Sequence, residues 1–277
     1  MHSLSKSKLL AFRQCPKRLW LEVHRADLIE WSDQAQTSFL VGHEVGEIAR
    51  NLYDPKGKGV VFEPKVEGYD EVVNRTAALI DAQRPLFEAG FSAGSARAYV
   101  DVLLPVRRKG QKVWRMVEVK SSSKVTDTHK DDVAIQAYIA RVSGVNLDSV
   151  ALAHIDSRWV YPGGVDYQGL LKEVDLTDEA FGRAEEVKDW IASAQTIVRK
   201  RKEPEIGVGR HCSEPYPCCF LDYCQRNADE VEFPVTWLPG NKNKMLRNLI
   251  EVEGVSDLRQ VPDELLNPKQ LRVKTHT

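Results

Sequence analysis

Apolar residues recur at helical spacing from the start of the chain. Leu9, Leu10 and Phe12 follow Ser5, a residue suited to an N-cap. Pro16, after Cys15, can open a second helical turn that carries Leu19, Trp20 and Val23. From Ser32 the set Phe39, Gly42, Val45, Ile48, Ala49 and Leu52 keeps the same period and predicts a longer helix. Gly57 and Gly59 break it; Val60 to Phe62 reads as a short strand and Tyr69 to Ala82 as a helix. The middle of the chain changes character. Leu86 to Phe91, Arg97 to Val106 and Lys112 to Val119 predict three strands, with Lys109-Gly110 as the turn between the last two. A helix is predicted from Asp131 to Val142, ended by Gly144, then a strand over Ser149 to Ile155, with Arg158 to Tyr161 as a candidate further strand. Thr177, followed by Asp178 and Glu179, is predicted to cap a helix running to Val198.

This order predicts an α/β fold: a mixed central β-sheet flanked by helices. Past Cys224 the composition changes. Asn241 to Val252 and Ser256 to Val261 predict two short helices joined at Gly254. The expected division is a main domain over residues 1–228 and a small helical appendage over 229–277. Composition narrows the class. Of 277 residues, 42% are hydrophobic and 29% charged, which excludes disordered and collagen-like chains. No apolar run approaches the roughly 18 residues that span a bilayer, so a cytoplasmic protein with no membrane partner is expected. The formal net charge of -1 announces no polyanion partner by itself.

Chemistry concentrates in two places. A two-residue turn at Lys109-Gly110 sets Arg108 against Gln111, and the same register brings Asp101 opposite Glu118. Lys120, two residues on, shares the Glu118 face. Two carboxylates so close repel unless a cation lies between them, and hard oxygen ligands select magnesium or manganese. Such an ion activates water and polarises a phosphoryl oxygen, with Lys120 beside it to stabilise developing charge. The arrangement suits phosphodiester hydrolysis; alternating charges on an exposed hairpin are the plain alternative. Gln136 reads as an ordinary half-exposed helical glutamine. His43, between Gly42 and Gly46 on a helix, reads as structural or as an imidazole ligand to the same ion.

The second place is the cysteines. Cys212, Cys218, Cys219 and Cys224 crowd one Pro-rich loop, and Cys15 lies far upstream. Five residues separate Cys212 from Cys218 and Cys218 from Cys224, wider than the usual zinc pairs. An iron–sulfur cluster with Cys15 as fourth ligand fits this spacing, and structural zinc is the alternative. Either would clip the N-terminal helix to the C-terminal loop.

Taken together, these residues resemble the RecB-like branch of the PD-(D/E)XK nucleases. The likeness is greatest to the CRISPR-associated iron–sulfur exonucleases, the AddAB-type nuclease domains and a group of bacterial RecB-like proteins. Those bacterial proteins begin with segments like Leu4 to Ser7 and Cys15 to Trp20 here. The resemblance spans about Leu4 to Cys224. It implies a restriction-endonuclease-like core, with His43, Asp101 and Glu118 as ligands of manganese or magnesium. Lys120 becomes the catalytic lysine and Gln136 the family's helix glutamine. Cys15, Cys212, Cys218 and Cys224 become ligands of a 4Fe–4S cluster. Two departures stand out: Ala140 occupies the place of a common family tyrosine, and Cys219 competes with Cys218. Larger relatives run longer, so a fragment or a minimal version is expected.

The function expected on this resemblance is a metal-dependent DNA nuclease, an exonuclease on single-stranded DNA ends. Basic residues at Arg107, Arg108, Lys109, Lys112 and Arg115, and at Arg199 to Lys202, are candidates to follow a phosphate backbone. The rival expectation is a non-catalytic nucleic-acid-binding or partner-docking subunit of a repair or CRISPR complex.

Overall fold

The computed structural model describes residues 2–227, 231–240, 243–251 and 255–277. Ser5 ends a two-residue strand, β1 (Leu4–Ser5), and caps α1 (Lys6–Gln14), its hydroxyl accepting the Lys8 amide at 3.3 Å. Cys15 interrupts the helix with extended backbone, and Pro16 begins α2 (Pro16–His24). Ser32 caps α3 (Asp33–Tyr53) by accepting the Ala35 amide at 3.2 Å. β2 (Val60–Val61), the short α4 (Pro64–Glu67) and α5 (Tyr69–Leu79) follow. The strand-rich middle is β3 (Leu86–Ala93), β4 (Ala96–Arg108) and β5 (Gln111–Lys120), then α6 (Asp127–Val142) and β6 (Leu147–Ile155). β7 (Leu171–Asp175), α7 (Thr177–Gly182), α8 (Ala184–Val198), α9 (Leu221–Arg226), α10 (Lys244–Glu251) and α11 (Pro268–Thr275) complete the described chain.

Among the described residues, seven strands make one mixed sheet in the order β2-β3-β4-β5-β6-β7, with β1 also paired to β4. The architecture is the expected mixed sheet with flanking helices. The meander β3-β4-β5 is antiparallel, and β6 joins β5 in parallel through α6. Lys109 and Gly110 both take positive φ, 48° and 81°, as a tight hairpin turn requires. That turn sets Arg108 against Gln111 and Val102 against Val117, the register expected from sequence. Gly90 answers a different need. A Cβ there would lie 3.0 Å from Val72 and 3.3 Å from the Val73 amide nitrogen, so glycine lets α5 sit close on β3.

The main core lies between the sheet and α6, where Ile135 and Ile139 pack with Leu103, Met116 and Leu152. Each such side chain contributes about 1.5–3 kcal/mol on burial. A smaller cluster of Phe87, Val102, Val117, Ala151 and Ala153 is covered by Tyr53 of α3. The C-terminal residues gather around their own cluster of Val235, Leu238, Leu246, Leu258 and Val261. Among the described residues no helix is long and apolar enough to cross a membrane.

Four expectations change. Arg158 to Tyr161 is a loop, and the strand beside β6 is β7. The Asp156 carboxylate accepts the Arg158 amide at 3.0 Å and turns the chain, and the rings of Trp159, Tyr161 and Tyr167 hold the loop together. Thr177 does not cap one long helix. Its hydroxyl accepts the Val150 amide at 3.0 Å, and the helix divides into α7 and α8 at Arg183, whose side chain reaches Asp131 and Glu186. α6 starts a turn early because Thr126 and His129 form a capping box. In place of a helix over Ser256 to Val261 there is a 3-10 turn at Leu258–Gln260. The unforeseen α11 is capped by Asn267 and Gln270. Gly254, Asn241 and the expected boundary at 228 and 229 lie outside the described residues.

Candidate active site

The site begins as an opening in the sheet. β3 runs along one edge of β4. The other edge is divided: β5 pairs with it from Val102 to Arg108, and β1 at Ala96 and Arg97. Among the described residues no strand pairs with that edge between Arg97 and Val102. Asp101 stands in this interval. Its Oδ2 accepts the Val119 amide at 2.8 Å, so a side chain replaces the ladder bond lost where the strands part.

β5 continues past the last pair and carries Glu118 and Lys120 to the opening. Glu118 is 1% exposed. Lys120 donates to Glu118 Oε1 at 2.6 Å and also to Asp132 on α6. Lys6, the first residue of α1, reaches the same two acids, Glu118 Oε1 at 3.0 Å and Asp132 Oδ1 at 3.2 Å. The four side chains alternate in charge around a closed ring. Gln136 closes it on the α6 side: Nε2 donates to Glu118 Oε2 at 2.6 Å and to Asp132 Oδ1 at 2.9 Å. Helical spacing explains this, since Asp132 and Gln136 are one turn apart on the face that packs on the sheet.

Asp101, Glu118, Lys120, Lys6, Glu88 and His43 line one cavity of about 240 Å³. α3 forms its far wall. Gly42 and Gly46 leave open space there, with nothing within 4 Å of where a Cβ would sit. His43 is exposed at this rim, its Nε2 3.8 Å from Glu47, and Glu47 also pairs with Arg50 at 3.3 Å. Glu88 enters from β3 with φ of 57°, a left-handed conformation uncommon for a residue with a side chain.

Electrostatics show what the ring leaves unbalanced. With all four ionised, Glu88, Asp101, Glu118 and Asp132 outnumber the two ammonium groups by two, a deficit of positive charge that Arg50 offsets in part at Glu88. Burial, then the charges of Asp101 and Asp132, raises the Glu118 carboxyl to about 7. Burial and Glu88 raise Asp101 as well. Asp132 goes the other way: burial opposes its charge, but Lys120 and Lys6 overcome it and hold the carboxyl low. The same acids, against burial, hold Lys6 and Lys120 in the ammonium form.

One divalent cation would cancel the deficit. The donor chemistry in the cavity fits a hard ion, since Asp101 and Glu118 supply carboxylate oxygens there; behind them Gln136 Oε1 is buried without a hydrogen-bond partner. Among the described residues, no three His, Cys, Asp or Glu side chains stand ready-grouped for a metal. In the cleft, Lys6 and Lys120 occupy oxygens of Glu118 and Asp132 instead.

The five cysteines are all free thiols. Cys15 lies buried at the α1–α2 junction, Cys212 in a short turn, Cys218 and Cys219 before α9, and Cys224 within it. Gln14 Nε2 donates to the His211 and Tyr216 carbonyls, both at 2.7 Å, which ties the end of α1 to the cysteine loop. The Cys218 amide donates to the Cys212 carbonyl at 2.8 Å. Burial raises the Cys15, Cys212 and Cys224 thiols, Cys224 to about 11, and neighbouring thiolates add to the effect. A hydrogen bond from Cys219 draws Cys218 down to about 6. Cys15, Cys212, Cys218 and Cys224 thus lie within electrostatic reach of one another. The donor chemistry fits a thiolate-held centre, although no ready-made ligand geometry is present among the described residues.

The sequence reading and the structure differ on particular residues. Gln136 is fully buried, not half-exposed. Lys6, Asp132 and Glu88 were not among the predicted site residues. Asp132 carried a signal, a carboxylate one turn before Gln136; Lys6 and Glu88 depend on β1 pairing and on an unusual backbone angle, which residue types do not announce. The basic hairpin around Lys109 lies at the other end of β5 from Lys120, about 30 Å away at strand rise. Arg108 in the hairpin and Arg115, midway along β5, pair with Asp148 and Glu173.

No family model matches the chain, and no curated protein matches it. Among solved structures, the crystal structure of an alkaline exonuclease from Laribacter hongkongensis is matched over 71% of this chain and 89% of that chain. The identity is 11% and the TM-score 0.29. A superposition of that quality carries no functional weight.

Proposed function

We propose that the chain is a metal-dependent deoxyribonuclease that hydrolyses phosphodiester bonds. The observation that carries this reading is the convergence of Asp101, Glu118 and Lys120 on one cavity whose acids outnumber its basic groups. Asp101 and Glu118 would hold magnesium or manganese, with His43 at the rim. Such an ion, when bound, activates water and neutralises charge on a phosphoryl oxygen. The residues do the rest. The Val119 amide holds Asp101 in place, Gln136 orients Glu118, and Asp132 holds Lys120 over the cleft. There its ammonium meets the negative charge that grows on the phosphate in the transition state. The preference for single-stranded ends, and for exonuclease action, follows the sequence resemblance alone. Residues 1–228 form the nuclease unit in this reading and 229–277 an appendage. The proximity of Cys15, Cys212, Cys218 and Cys224 supports a structural 4Fe–4S cluster.

The test is cleavage of labelled single-stranded DNA with magnesium or manganese. Asp101→Asn and Lys120→Met are each expected to lose about 100-fold or more in rate. Undiminished cleavage by both folded variants would remove these residues from the mechanism.

A further inference from the structure

Resting on that nuclease reading, we infer that Lys6 is a second phosphate-binding cation of the site, working as a pair with Lys120. The two ammonium groups share their partners and their exposure. Each touches both Glu118 and Asp132, at 3.2 Å or less. Each is partly open, 20% for Lys6 and 23% for Lys120, while the acids beneath are 1% and 4% exposed. The lysines therefore form the solvent side of the ring, and an anion entering the cavity meets them first. Lys6 also has a fixed approach. It is the residue after β1, and β1 takes the edge of β4 just beyond the opening at Asp101. It is the first residue of α1, whose first turn holds no acid, so the positive end of the helix adds to its charge. The ligand class is a phosphodiester: Lys120 serves the reacting phosphate, and Lys6 holds a non-bridging oxygen of that phosphate or the next.

A purely structural ion pair would also sit here, so the test reads phosphate contact directly. A labelled single strand is titrated with calcium present, and affinity is followed against salt. Lys6→Met and Lys6→Gln are each expected to lower the salt slope by about 0.7, the value of one phosphate contact on single strands. Lys6→Arg is expected to keep the wild-type slope. Lys58→Met, at an exposed lysine on another segment, is the control and keeps it too. A second measurement needs no variant: acetylation of the wild-type Lys6 amine, read by mass spectrometry, is expected to slow several-fold when the strand is bound. An unchanged slope in the folded neutral variants, or equal acetylation with and without the strand, overturns the inference while wild-type cleavage still stands. If the wild type neither binds nor cleaves the strand, the nuclease reading itself has failed.

Discussion

Glu118 is held by three donors, Lys6, Lys120 and Gln136, and repelled by two acids, Asp101 and Asp132. Its environment shows why single residues in this cleft behave as parts of a set. Gln136 bridges Glu118 and Asp132 through one nitrogen, so truncating it leaves Glu118 Oε2 without a donor and Asp132 Oδ1 with Lys6 alone. Gln136→Ala is expected to cost about 1–3 kcal/mol in urea unfolding and to depress cleavage with it. Glu88 predicts the opposite sign. Burial and Glu118 raise its carboxyl above the usual range, so its ionised form opposes folding once pH exceeds the ordinary carboxylate value. Measured in chelator at pH 8, Glu88→Gln is expected to melt about 2 °C above wild type, equivalent to ~1 kcal/mol. That advantage fades as pH falls toward 4.5, and magnesium or manganese narrows it by supplying the missing charge. Asp101, Glu118 and Lys120 were legible because a two-residue turn fixes a register. Gln136 was legible as a position but not as an environment, since only the packing of α6 shows that it is buried.

At the scale of elements, strongly periodic segments read well and edge elements did not. α1, α2, α3 and the meander β3-β4-β5 follow from caps, a proline and a turn that act within a few residues. β1 and β7 are five residues or fewer, and their identity comes from the strands beside them, not from their own pattern. Thr177 shows the same limit: its hydroxyl has two uses, and bonding to β6 wins over capping. α6 offers a measurable cap. Neutral His129 accepts the Thr126 amide on Nδ1 at 3.3 Å. Burial, followed by the charge of Lys120, lowers the His129 pKa, so the fold favours the neutral ring. Stability from this group is therefore complete above the unfolded value of 6.5 and is lost as pH falls through the lower folded value. His129→Gln keeps an acceptor that does not titrate. Between pH 7 and pH 5 the wild type is expected to lose about 0.5–2 kcal/mol relative to this variant in thermal melts.

At the scale of the molecule, α1 joins the candidate cleft to the cysteine loop. Its first residue is Lys6 in the cleft, and its last turn ends at Cys15 beside the cysteine loop. Closing nearly two hundred residues between Cys15 and Cys212 makes the binding energy of any centre there part of the folding energy. Anaerobically purified protein is expected to contain iron and acid-labile sulfide. Cys15→Ser is expected to lose both and to melt lower, whereas Cys219→Ser is expected to keep both, because Cys219 packs with Leu21 and Phe220. Zinc without sulfide in the wild type would reject the cluster. The sequence suggests such a centre through its cysteine spacing, and the tie through Gln14 comes only from the folded loop.

The divided edge of β4 has a consequence for synthesis. β1 emerges from the ribosome long before its partner residues 96 and 97, and Lys6 long before Glu118 and Asp132. A nascent chain that stops short of α6 holds no ring at all. The cleft is thus assembled only once α6 has been made, when β1 and α1 dock onto a sheet made after them, and shorter products lack Asp132 and Gln136 and hold no complete ring.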